Sequence, residues 1–189
     1  MTEPTAASGL DAHGERFARD GCVVVEGLLD AATIAPLRHA ARILFAADPP
    51  FDDPPFDDAP AGTVDPSDRS LRRITSPGEL HPVFATGAIR DALTAVGRRL
   101  VGGPTEVVRE ALETTDPVAE RPIATGSPAG DGIRCWLPLA GLDADAAPTP
   151  PGVALTPGDC VVLAADVTAH LPPSERARTA LVVTLVVAR

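Results

Sequence analysis

A histidine and an arginine stand eight positions apart near the end of the chain, at His170 and Arg178, with Arg176 between them. An imidazole titrates near neutral pH, so it can carry a proton or ligate a metal through a ring nitrogen. Arg178 opens a long apolar strand, Thr179 to Ala188. Turned inward, it must meet an anion, because a buried unpaired charge costs several kcal/mol. Together the two residues outline an anion hook beside a possible acid or base. The bland readings are a loop histidine capped before Pro172-Pro173 and an arginine paired with a surface acid. Arg176 and Arg134 offer the same anion chemistry more weakly, and Trp136, the sole tryptophan, completes the candidate ligand-binding set. Cys135 and Cys160 read as small buried hydrophobes, with a Cys160–His170 nucleophile pair as the chemical alternative.

Composition narrows the function classes. The chain has 189 residues, 44% of them hydrophobic, which is enough for a real core and is expected to form one domain, 1–189. Its 16 basic residues are all arginine and face 26 acidic ones, a formal net charge of −10. Such a surface repels phosphate backbones and anionic lipid headgroups, so a small anionic molecule is the expected partner and neither nucleic acid nor membrane is. Cys22, Cys135 and Cys160 are odd in number, far apart and form no C-x-x-C, which argues against both a disulfide framework and a zinc knuckle. No basic region followed by an apolar run opens the chain, and no apolar segment approaches the roughly 20 residues that span a bilayer. A soluble cytoplasmic protein is expected.

The elements that must position these residues follow from periodicity and punctuation. Leu10 to Arg19 reads as a short helix closed by Asp20-Gly21, and Cys22 to Val25 as a buried strand. A second helix turns Ile34, Leu37, Ala41, Leu44 and Phe45 to one face; with Thr33 as its N-cap, Pro36 falls in the first turn, where its missing N–H is harmless, whereas with Asp30 as the cap a kink is expected. Asp48 to Ser70 repeats Pro-Pro-Phe-Asp-Asp and is too rich in Pro and Asp for regular structure. It lacks the spacing of a calcium loop, and Phe51 and Phe56 suit a lid over the mouth of the fold. Ser76 to Gly97 reads as a turn and a helix, with Ile89, Leu93, Val96 and Leu100 on one face. Thr105 to Leu112, Ile133 to Leu139 and Cys160 to Leu163 read as strands.

Several of these stretches resemble the phytanoyl-CoA dioxygenase family of iron and 2-oxoglutarate oxygenases. They are the opening FARDGCVVVEGLLDAATIAPLR, the run Leu80-His81-Pro82-Val83-Phe84, the central IRCWLPLAGLD, and the final Gly158-Asp159 turn with His170 and Arg178. The resemblance implies a mainly β fold with N-terminal helices: a reduced double-stranded β-helix, that is, a cupin-like jelly roll. It implies that His170 is the last metal ligand and that Arg178 grips the far carboxylate of 2-oxoglutarate. The family holds Fe(II) with two histidines and one carboxylate, the first two ligands as His-x-Asp or His-x-Glu before the tryptophan-type strand. That window, about Thr115 to Arg134, has no histidine, and none lies between His81 and His170. Asp131, in Gly130-Asp131-Gly132, is the candidate surviving carboxylate and equally a turn residue. The one His-x-carboxylate, His13-Gly14-Glu15, precedes the first strand, out of the family's order.

Three readings of function follow. The first is a degenerate relative without metal or other cofactor that binds a small carboxylate-bearing metabolite, with non-redox chemistry or none. The second is an active hydroxylase using Fe(II) and 2-oxoglutarate, with ligands from unusual places such as His81, Asp131 or a partner chain. The third is a non-catalytic subunit that uses the acidic loop to contact a basic partner or to stabilise a catalytic relative.

Overall fold

Six antiparallel strands form a sheet with helices packed on one face and a two-stranded sheet on the other. The computed structural model describes residues 6–46, 71–115, 121–123, 132–148, 150–167, 169–174 and 176–187. The segment expected to act as a lid, 48–70, lies outside these residues, as does Asp131.

Helix α1 (Ala6–Asp20) ends at Gly21, whose φ of 65° is the left-handed turn a helix end favours and whose N–H donates to Phe17 O at 2.8 Å. Strand β1 (Cys22–Val25) leads to α2 (Ala31–Ala46), which buries Ile34, Leu37, Ala40 and Ala41. The cap of α2 is Asp30 and not Thr33: the Asp30 carboxylate accepts the Thr33 N–H at 2.8 Å. An aspartate three residues upstream satisfies that orphan amide as well as threonine caps do, so the helix starts earlier and carries Pro36 within it.

Next come β2 (Leu71–Thr75), the single turn α3 (Pro77–Leu80), a 3-10 turn (Pro82–Ala85) and α4 (Gly87–Val101). The strands β3 (Thr105–Thr115), β4 (Arg121–Ile123), β5 (Gly132–Pro138), β6 (Cys160–Ala164), β7 (Ala169–Leu171) and β8 (Arg178–Val187) complete the fold. The large sheet has the order β1-β6-β5-β8-β3-β2, and the small one pairs β4 with β7. His170 therefore lies on a strand, where a loop was expected.

Two cores share the large sheet, and strand alternation explains both. Cys135, Leu137, Val162, Leu181, Val183 and Leu185 face the helices and pack with Ile34, Leu37 and Leu93. The alternate positions Trp136, Val161, Leu163, Ala180 and Val182 face the other way and pack with Ala169 and Leu171 of β7. Burial on both faces is why β8 is apolar at nearly every position.

Candidate functional site

The face of the large sheet turned toward the small one can be laid out from its register. On β8 it carries Arg178, Ala180, Val182 and Thr184; opposite them on β3 stand Thr115, Glu113, Ala111 and Arg109. Beyond β3, Arg73 of β2 pairs with Glu113. On the other side of β8, Arg134, Trp136 and Pro138 of β5 oppose Thr184, Val182 and Ala180. This inner face is thus divided. Trp136, Val161, Leu163, Ala180 and Val182 make it apolar over β6 and the middle of β5 and β8, and Arg134, Arg109, Glu113 and Arg73 make it polar toward β3 and β2.

Arg178 is 7% exposed. Its Nη2 donates to the carbonyl oxygen of Pro172 at 2.5 Å, which fixes the guanidinium across the β7–β8 connection. Nε is buried and has no hydrogen-bond partner among the described residues. Burial lowers the pKa of Arg178, yet an arginine stays a cation in a protein, so its charge persists on this face. Its register partner Thr115 is 6% exposed, and the Thr115 hydroxyl is also buried without a hydrogen-bond partner among the described residues.

Two residues further along β3, Glu113 accepts from Arg73 Nε at 2.7 Å, with Arg73 Nη2 at 2.5 Å from the same oxygen. Arg134 is drawn into this cluster. Burial lowers its pKa most; Glu113 opposes that effect, and Arg73 and Arg109 reinforce it by repulsion. A cavity of about 10 Å³ beside Arg134, Leu163 and Thr184 has room for roughly one water. Trp136, 2% exposed, is part of the inner core. Arg176 is exposed, its N–H held by the Ser174 hydroxyl at 3.1 Å.

His170 pairs with Pro122 across the small sheet. Its neighbours Ala169 and Leu171 enter the inner core, so the pleat sends its own side chain to the opposite face, where it is exposed. Arg178 thus enters the space between the sheets, and His170 leaves it. The Cys160–His170 pair is not formed: Cys160 and Cys135 lie in the helix-side core, across the large sheet from β7. The Cys160 thiol is pushed well above its ordinary value, first by its hydrogen bond with Cys135 and then by burial, the reverse of what a nucleophile needs.

The histidines bear directly on whether Fe(II) fits. His13 and His39 lie on α1 and α2. His81 caps the 3-10 turn, its Nδ1 accepting the Val83 N–H at 3.3 Å and its ring edge-on to Phe84, a residue of the helix-side core. None of these three reaches the face that carries Arg178. Among the described residues, no three His, Cys, Asp or Glu side chains converge on a metal-sized position. Among the described residues, two imidazoles and a carboxylate are not gathered beside Arg178, so the described residues there do not fit a site of two histidines and one carboxylate.

Three residues singled out from the sequence, Arg178, Arg134 and Trp136, lie on the inner face, and Thr115, Glu113 and Arg73, which the sequence reading did not single out, lie there with them. The only local signal for Thr115 is its place at the end of an alternating strand. Its pairing with Arg178 depends on register.

No protein-family model matches the chain, and no curated protein does. Solved structures do. The non-heme alpha ketoglutarate dependent epimerase SnoN from nogalamycin biosynthesis superposes with a TM-score of 0.72 at 19% identity, covering 96% of this chain and 84% of SnoN. AviO1 from Streptomyces viridochromogenes Tue57 gives 0.69 at 20% identity, over 93% of this chain and 94% of its own. EctD from S. alaskensis, solved with bound Fe, gives 0.66 at 18% identity, over 93% and 76%. The chain has the double-stranded β-helix of the iron and 2-oxoglutarate oxygenases. At such identities the likeness extends to the fold alone.

Proposed function

We propose that this chain is a phytanoyl-CoA dioxygenase-like protein that has kept the carboxylate-binding end of the oxygenase site without its iron, and that binds a small carboxylate-bearing metabolite without redox chemistry. The observation that carries this reading is Arg178: a buried cation on the inner face, anchored to Pro172 O and retaining an unsatisfied Nε–H. A buried donor without a partner is costly, and a carboxylate supplies the missing acceptor together with the missing charge. The placement of the four histidines supports the loss of iron. The fold shared with SnoN, which has been solved with Fe3+ and alpha ketoglutarate, supports the choice of a carboxylate as ligand class.

Anaerobic titration with Fe(II) and 2-oxoglutarate tests the reading. The expected result is carboxylate binding, measured by calorimetry, that is indifferent to Fe(II). A stoichiometric ferrous site with charge-transfer absorption, or succinate formed on admitting oxygen, would overturn it in favour of an active hydroxylase.

A further inference from the structure

The inner face holds a second group of arginines, away from Arg178. Thr184 of β8 stands between Arg134 of β5 and Arg109 of β3, directly opposite both. Neighbouring strands lie about 4.8 Å apart, so the two arginine backbones are roughly 10 Å from each other and their long side chains can meet over the threonine. On the far side of β3, Arg73 is paired with Glu113. The charges that act on the half-buried Arg134 are Glu113, which attracts it, and Arg73 and Arg109, which repel it. Among the described residues, these four side chains bring three positive charges and one negative to one patch of a chain whose net charge is −10. Glu106, the next acid along β3, is exposed. Gathering like charges on one sheet face is costly, and a face lined by one sign of charge concentrates ions of the other.

We infer that this cluster receives a second anionic group of the ligand, and that the metabolite is an organic acid carrying a phosphoryl group at the end away from its carboxylate. For the carboxylate end this rests on the reading of Arg178 given above. The surplus of two positive charges matches a phosphoryl dianion, and guanidinium forks from three strands supply the paired N–H donors that phosphoryl oxygens accept. A second carboxylate would leave one of those charges unanswered. The rows of Glu113 and Thr184 lie two and six positions along β8 from Arg178, about 7 and 20 Å at the rise of a strand, so several carbons separate the two anionic groups. Arg134 and Arg109 thereby select the ligand by its far end, while Arg178 holds the near one.

The test is calorimetry on the full chain with hexanoate, 6-phosphonohexanoate, its dicarboxylate counterpart pimelate and inorganic phosphate as probes, the phosphonate standing for the phosphoryl group. The phosphonate should bind about tenfold to a hundredfold more tightly than hexanoate, the effect of one charge-assisted contact, with pimelate between them. Arg134→Gln should erase that advantage and leave hexanoate unchanged within about twofold, because the carboxylate end is untouched. Arg109→Gln, at an exposed position where folding is not at stake, should reduce the advantage severalfold. If hexanoate binds and the phosphonate binds no more tightly, or if both variants leave the ratio unchanged, the cluster is structural and the Arg178 reading stands. Pimelate binding as tight as that of the phosphonate overturns the phosphoryl assignment. If hexanoate does not bind while inorganic phosphate does, and Arg134→Gln abolishes it, the cluster is an anion site and the Arg178 reading falls. If the wild type binds none of the four, both inferences fall together.

Discussion

Asp159 and Gly27, 132 positions apart, are joined by a 2.8 Å hydrogen bond from the Gly27 N–H to Asp159 Oδ1. The other carboxylate oxygen accepts from the Thr156 N–H at 2.6 Å and from the Thr156 hydroxyl at 2.9 Å. The neighbouring Gly158 receives the Leu29 N–H on its carbonyl at 3.1 Å. This turn ties the start of β6 to the loop between β1 and α2, holding one edge of the sheet closed. Asp159→Ala leaves two backbone amides without an acceptor and is expected to cost about 3 kcal/mol in chemical denaturation. A loss under 1 kcal/mol would count against the clamp.

Gly158 lies in the same turn at a φ of 105°, and a Cβ built there would stand 2.0 Å from the carbonyl oxygen of Leu29. Gly158→Ala therefore combines an unfavourable backbone region with a clash against rigid backbone. The variant is expected to be at least as unstable as Asp159→Ala. A melting temperature close to that of the wild type would contradict this.

Asp30 is held below its ordinary value of 3.8 by hydrogen bonds from Thr33, the side chain first and the amide second. A carboxylate depressed in the folded state adds stability above its unfolded pKa and loses it as pH falls through the folded one. Asp30→Ala should therefore melt below the wild type at pH 7, and the gap should close as the pH is taken below about 3.8. A gap of constant size down to pH 2 would remove the capping role.

Arg178→Ala should weaken binding of a small carboxylate by roughly tenfold to a hundredfold, the equivalent of about 1.5 to 3 kcal/mol for a charge-assisted bond. His170→Ala should leave the same affinity unchanged within about twofold, because its side chain is on the far face of β7 and the loss of an exposed group there is a small effect. Calorimetry on both variants separates the two residues. Equal losses would place the imidazole in the ligand site.

Cys135 and Cys160 are free thiols fully buried in the helix-side core, and the Cys160 thiol is pushed well above its ordinary value by its hydrogen bond with Cys135 and by burial. Neither should be alkylated by iodoacetamide at pH 8 in the native protein, and both should be in denaturant, as read by mass spectrometry. Native labelling faster than global unfolding would show that this part of the core opens.

What the sequence determined was local. A run apolar at nearly every position announced β8 as a strand, and Gly158-Asp159 announced a turn. Arg178, at the head of that strand, could be singled out because a cation before an apolar run needs an anion wherever it turns inward. The short strands β2, β4 and β7 were not legible, since LRRIT carries two charges and RPI and AHL are too brief to show a period. Only the tertiary structure decided which face each residue took and which residue it met. One step of register separates an inward side chain from an outward one, so His170 could not be placed until Ala169 and Leu171 were found in the core. The pairing of Thr115 with Arg178 joins strands far apart in the chain, and no spacing encodes it. It is set by β3 and β8 packing α4 on one face and leaving the other to a small sheet, so that the polar ends of two strands are buried side by side.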